Sequence, residues 1–224
     1  MFVTEWGASL VTVISALTDK VVSTISVGSY PMGVAYDPAN GELFVTSGNN
    51  VTVISDATNQ VVANLAVASG PVAVAYDSGK GELFVASPGS DSVSVISATT
   101  NEVAATIPMG DYPFGVAYDS SQGEIFVSNA GSANLSVISD VTNTVVATIA
   151  VEPNPFAVAY DSVTGDVFAT GNLLSIISAA TNQVLAIVPV DSGSYGEASD
   201  NGNGELLVTN SFQHSVSMVS VDAS

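Results

Sequence analysis

"GPVAVAYDSGKGELFVAS" spans residues 70–87: an apolar run, a short polar knot, then a second apolar run. Nearly the same phrase stands as "PMGVAYDPANGELFVTS" from Pro31, "PFGVAYDSSQGEIFVSN" from Pro113 and "PFAVAYDSVTGDVFAT" from Pro155. Tyr36, Tyr76, Tyr118 and Tyr160 follow one another at spacings of 40, 42 and 42 residues. A weakened fifth copy, "GEASD", has Ser199 in the tyrosine slot. A repeat of this period is one supersecondary unit used many times over.

Each period divides into four runs, here lettered A ("GVAYD"), B ("ELFVTS"), C ("VTVIS") and D ("VVANLAV"). They are rich in Val, Ile, Phe and Thr, lack helical periodicity, and are separated by Gly, Asn, Asp, Ser and Pro. Four short strands in a period of about 40 residues make the blade of a β-propeller. The predicted fold is therefore all-β: a single propeller domain over 1–224, of four-stranded antiparallel blades in about six units. The units run 1–29 (B-C-D), 30–69, 70–110, 111–152, 153–191 and 192–224 (A-B-C). The first and last overlap in B and C and cannot merge into one blade. The strand count thus predicts part of a longer propeller, incomplete at both ends and joined to further repeats; the alternative is a six-unit ring with two imperfect blades.

The polar knot between A and B has its own chemistry. Asp37, Asp77, Asp119, Asp161 and Asp200 stand where an Asx turn begins, with side chains placed to accept backbone N–H bonds. Gly41, Gly81, Gly123, Gly165 and Gly204 stand where the chain needs a positive φ to start strand B. The phrase recurs because every blade needs the same hairpin.

Composition narrows the function. Charged residues are 10% of the chain, and two lysines, no arginine and 21 acids leave a net charge of −19. A chain this poor in cations cannot grip a nucleic-acid backbone or an anionic membrane. Mean hydropathy is +0.45, yet runs such as "VAVAY" (72–76) fall far short of the roughly 20 residues of a spanning helix, so no membrane insertion is expected. Without cysteine there are no disulfides or thiolate metal sites. No basic segment or apolar core of a signal peptide follows Met1.

The repeat resembles the YVTN family of β-propeller repeats, best known from archaeal surface-layer and cell-surface proteins. "FVTS" (44–47), "FVSN" (126–129) and "LVTN" (207–210) stand for the name motif. "VSVISATTNEVAATIPMG" (93–110) and "LSVISDVTNTVVATIAV" (135–151) match the rest of the pattern, and the likeness covers the whole chain, with Phe in the family's usual Tyr position. It implies a propeller, commonly seven-bladed, displayed on a cell surface or outside the cell, and does not by itself imply a conserved active site.

Ten of the acids lie at the A–B hairpins: the five turn aspartates, and Glu42, Glu82, Glu124, Asp166 and Glu205 at the start of strand B. They read as capped turns on a solvated acidic face, with no metal or other cofactor expected. The opposite rim carries the B–C and D–A loops, which differ from blade to blade; variable loops on a repeated scaffold are where recognition lives. Trp6, Tyr30, Tyr112, Tyr195 and Phe212 bring aromatic rings there, with His214 beside them, and such rings among Asn and Ser suit a protein or glycan partner. Met32, Phe114 and Phe156, at equivalent positions after proline, read as plugs between blades. His214 is the sole histidine, and no nucleophile-elbow pattern accompanies it, so no catalytic residue is assigned. Asn50 ("NVT") and Asn134 ("NLS") are candidate glycosylation sites. The expected function is a non-enzymatic extracellular propeller with a structural, adhesive or binding role; the alternatives are a lactonase- or lyase-like propeller enzyme and an intracellular interaction scaffold.

Overall fold

A computed structural model describes residues 1–190, 194–200 and 205–220. The side chains of Tyr195 and Asp200, and the whole of Gly204, lie outside the described residues. The chain folds as two compact units, Met1–Thr106 and Ile107–Ser224.

Blade I is β1 (Phe2–Glu5), β2 (Leu10–Ser15) and β3 (Lys20–Ser26). Blade II is β4 (Val34–Asp37), β5 (Glu42–Ser47), β6 (Asn50–Ser55) and β7 (Gln60–Ala66). Blade III is β8 (Ala73–Asp77), β9 (Glu82–Ser87), β10 (Ser92–Ser97) and β11 (Glu102–Pro108), with one 3₁₀ turn at Pro88–Ser90. Blade IV is β12 (Pro113–Asp119), β13 (Glu124–Asn129), β14 (Asn134–Ser139) and β15 (Thr144–Ala150). Blade V is β16 (Ala157–Asp161), β17 (Asp166–Thr170), β18 (Leu174–Ser178) and β19 (Gln183–Val188). Blade VI is β20 (Ser194–Asp200), β21 (Glu205–Asn210) and β22 (Ser215–Ser220). Each blade is one sheet whose strands neighbour one another in chain order.

Strand B explains how the blades stack. Leu43, Phe44 and Val45 are consecutive and all fully buried. Successive side chains of a strand point to opposite faces, so both faces of the sheet are covered. Phe44, Val51 and Val53 meet Leu83, Val85 and Ile96 of blade III. Leu43, Val45 and Ile54 meet Val11 and Val13 of blade I. In the second unit, Phe126, Leu135 and Val137 meet Val167 and Ile177, and Phe168 and Leu174 meet Leu206 and Val208. Each B–C pair therefore has a forward face, toward the next blade, and a backward face, toward the previous one.

The hairpins hold the strands by local chemistry. Oδ1 of Asp37 accepts from the Ala39 N–H at 2.8 Å, that of Asp77 from Gly79 at 2.7 Å, that of Asp119 from Ser121 at 2.7 Å and that of Asp161 from Val163 at 2.8 Å. Gly41, Gly81, Gly123 and Gly165 follow with φ of 65–74°, a conformation that costs a residue with a Cβ about 1–2 kcal/mol. Asp77→Ala is expected to cost about 0.5–2 kcal/mol, by analogy with helix caps. Ser78→Ala, at an exposed position of the same turn, should stay within about 0.5 kcal/mol. Urea melts of the two variants test this, and equal effects would deny the aspartate its role.

At the C–D hairpin, Asp19, Asn59, Asn101, Asn143 and Asn182 all take φ of 52–56°, the left-handed slot that Asn and Asp tolerate best. One extra residue bulges strand D beside it, Val22, Val62, Val146 and Leu185 in blades I, II, IV and V. All four side chains are exposed. Such bulges twist an outer edge away from pairing with another chain.

Candidate functional site

The loop rim is built by contact between two loops of the same blade. In blade IV the Ala130 N–H donates to the Tyr112 carbonyl at 2.9 Å and the Gly131 N–H to the Asp111 carbonyl at 3.0 Å. The Ser132 hydroxyl oxygen accepts from the Asp111 N–H at 2.7 Å. In blade V the approach is so close that a Cβ at Gly171 would lie 2.0 Å from the Asn154 carbonyl oxygen. Pinned in this way, the residue before the proline is left-handed in blades II to V: Tyr30 (φ 54°), Gly70 (70°), Tyr112 (57°) and Asn154 (59°). Gly and Asn adopt this backbone readily, whereas a bulky residue there is strained.

Both tyrosines spend that strain on an exposed ring. Tyr30 lies against Trp6 of the first B–C loop, ring centroids 4.8 Å apart and planes tilted by 40°. Trp6 and Tyr30 are each more than half exposed. The Thr4 hydroxyl donates to the Met32 carbonyl at 2.8 Å, tying the strand that leads into Trp6 to the connection that carries Tyr30. In the second unit Tyr112 stacks on Phe114 at 6.2 Å, and Phe114 meets Phe156 edge to face at 5.3 Å. Phe114 and Phe156 are half-buried, and Phe114 bridges Tyr112 of its own blade and Phe156 of blade V. Met32 is more exposed than a plug would be.

Phe212 is exposed on the last B–C loop. His214 (φ 54°) takes the same final slot of that loop as Ser9, Asp91 and Ala133. Histidine is one of the few side chains enriched in this conformation, so its position is explained by the turn. It lines a concavity of about 350 Å³ with Thr209, Asn210, Ser211, Ser215 and Val216.

Of the two sequons, Asn50 is exposed at the start of β6. The Asn134 side chain is engaged: its oxygen accepts from Asn129 Nδ2 at 2.7 Å, and its Nδ2 donates to the Ser132 carbonyl at 3.2 Å.

The acids at the opposite end do not form the solvated face expected: Asp37, Asp77, Asp119 and Asp161 are fully buried, because their carboxylates fold into the turns they cap, and Glu42, Glu82, Glu124 and Asp166 are half-buried. These acids are cross-strand partners, Asp37 opposite Glu42, Asp77 opposite Glu82, Asp119 opposite Glu124 and Asp161 opposite Asp166. Like charges so placed repel. Burial pushes Glu124 above the usual carboxylate range and the charge of Asp119 adds to it. Burial also raises Asp166, against a lowering hydrogen bond from Thr164. Asp37 goes the other way: burial raises it, but hydrogen bonds from the Tyr76 hydroxyl, Ala39 and Asn40 outweigh that and hold it low. Tyr76 is pushed up to about 12 by burial and by its bond to Asp37.

Two roles within the repeat carry no local sequence signal. The tyrosine of "AYD" reaches back to the preceding blade's turn, Tyr76 to Asp37 and Tyr160 to Ser121 Oγ at 3.2 Å. Tyr36 instead donates to Asp56 Oδ2 at 2.7 Å. The hydroxyl near the end of strand B reaches forward, from Thr46 to the Val72 carbonyl and from Ser128 to the Phe156 carbonyl, both at 3.1 Å.

No family model and no curated protein matches this sequence. Solved structures do match in fold. Hydrazine synthase of Kuenenia stuttgartiensis is 15% identical with a TM-score of 0.68, over 100% of this chain and 92% of that one. A chain of a mitotic checkpoint complex is 15% identical with a TM-score of 0.86, over 96% and 69%. A protein of unknown function from Desulfotomaculum acetoxidans is 14% identical with a TM-score of 0.84, over 98% and 78%. At such identities the likeness carries the fold alone, and that fold is the β-propeller.

Proposed function

We propose that this chain is a non-enzymatic recognition module of the YVTN type, displayed outside the cell, whose loop rim binds a protein or glycan surface. The observation that carries the reading is the pair of tyrosines on left-handed backbone. At the slot where blades III and V have Gly70 and Asn154, blades II and IV hold exposed Tyr30 and Tyr112 against a second aromatic ring. Rigid aromatic rings supply large contact area at small entropic cost. A β-propeller scaffold suits the task, because the strands set the geometry while the loops vary.

The test is a binding screen of the chain against arrayed glycans and against extracellular proteins, repeated with Trp6→Ala, Tyr30→Ala and Tyr112→Ala. Binding to a ligand from either set is expected to weaken about tenfold or more in at least one variant, the scale of an interface hot spot. Melting behaviour should stay close to that of the parent, since these rings are exposed. A ligand whose binding ignores all three substitutions would reject this rim as the site.

A further inference from the structure

Trp6 and Tyr30 form a braced pair of rings on the loop rim, and the chemistry around them narrows the ligand. Tyr30 belongs to blade II, which has a packed neighbour on either side, blade I and blade III. Its ring is nevertheless 58% exposed. The backbone is fixed before and after it. The Gly48 N–H donates to the Ser29 carbonyl at 2.6 Å, and the Thr4 hydroxyl holds the Met32 carbonyl. Rings held in this way lose little freedom on binding.

Charge removes most partners. The chain has no arginine, and its two lysines lie elsewhere, Lys20 at the start of β3 and Lys80 in the A–B turn of blade III. No lysine or arginine therefore stands on these loops to hold a carboxylate, sulfate or phosphate, and the net charge of −19 repels any anion. Glu5 precedes Trp6, but its carboxylate accepts from the Thr12 hydroxyl of its own sheet. The exposed residues next to the rings and on the adjoining B–C loop of blade II are uncharged: Gly7, Ser29, Gly48, Asn49 and Asn50.

The patch is also small. In the B–C and D–A loops that join blades I and II, the exposed large apolar side chains are Trp6, Tyr30 and Met32. A stable protein interface engages roughly 20–30 residues a side. Among the described residues neither the Trp6 indole N–H nor the Tyr30 hydroxyl has a hydrogen-bond partner within the chain. Each side chain thus offers a flat apolar ring and an unspent donor. A pyranose is the complement, with C–H groups on its face and hydroxyls around its rim.

We infer that the Trp6–Tyr30 pair binds an uncharged glycan chain, the rings stacking on sugar C–H faces while the two donors and the neighbouring asparagine amides meet its hydroxyls. The inference rests on the loop rim being the recognition surface and selects the glycan as its ligand there.

Trp6 is the chain's sole tryptophan, so its fluorescence, excited apart from that of the tyrosines, reports on this site. Titration with neutral oligosaccharides of glucose, mannose, galactose and N-acetylglucosamine should change its emission saturably for at least one of them. The affinity should be the same in low and high salt, because no ion pair is there to be screened. It should fall about tenfold or more in Tyr30→Ala, and calorimetry should show Trp6→Phe weakened as well. An oligogalacturonate of equal length should bind less well than the neutral chain. Emission unmoved by every neutral oligosaccharide up to about 1 mM, the weak end of specific association, overturns the inference. If a protein of the extracellular set then moves it, the rim remains the site with a protein as its ligand; if none does, both readings fall. A glycan bound equally by the parent and Tyr30→Ala, or held only in low salt, also overturns the inference.

Discussion

Phe126→Ala is expected to lower stability by about 3–5 kcal/mol, the cost of emptying a buried aromatic site. Phe126 is fully buried and packs between blades IV and V with Leu135, Val137, Val167 and Ile177. A propeller blade cannot close such a gap easily, because strand spacing is set by backbone hydrogen bonds and the neighbouring sheet is held by its own core. Leu207→Ala removes the side chain at the equivalent position of blade VI, where it is partly exposed. In dilute solution that change should cost less than about 1 kcal/mol. Urea melts of both variants decide the matter. Equal costs would mean that the forward face of blade VI is already covered in the isolated chain.

The second expected result is a fold that withstands acid. At pH 7 the chain carries −19, and acidification removes repulsion first. Glu124 and Asp166 have raised values, so the fold binds their protons more tightly than the unfolded chain does. Stability therefore rises as pH falls through those raised values. Asp37 has a lowered value, so its contribution is present above the unfolded value and is lost as pH falls through the folded one. Stability should thus peak in mild acid and decline below about pH 4, the ordinary carboxylate value.

At pH 2 the chain has two lysines, His214 and the N-terminus as its cations, too few for the charge repulsion that helps to unfold proteins in acid. The alkaline limit follows from Tyr76, raised to about 12. Its contribution is complete below the unfolded value near 10 and vanishes as pH rises through the folded one. Circular-dichroism melts from pH 2 to 12 in matched salt test the profile. A cooperative melt is expected at pH 2. An unfolded baseline there at 25 °C, or a melting temperature that falls steadily from pH 7 to pH 5, contradicts the account.

Blade architecture was readable in the sequence because its causes are local. A strand declares itself by composition within a few residues. Asp37 forms its Asx turn with Ala39, two residues on, and Gly41 needs its positive φ whatever surrounds it. The left-handed asparagines at Asn59, Asn101 and Asn143 were equally visible, in "TN" just before strand D, but no turn role was read from them.

Partners drawn from another period are a different matter. No local pattern says that Tyr76 will reach Asp37, that Thr46 will donate to the Val72 carbonyl, or that Trp6 will lie 4.8 Å from Tyr30. The same holds for the two faces of a blade. Leu207 and Phe126 hold the same place in the repeat, yet one is exposed and the other is sealed. Periodicity assigns both to a core position; burial depends on whether another sheet arrives within van der Waals contact, and that is a property of the stack, which only the tertiary structure decides.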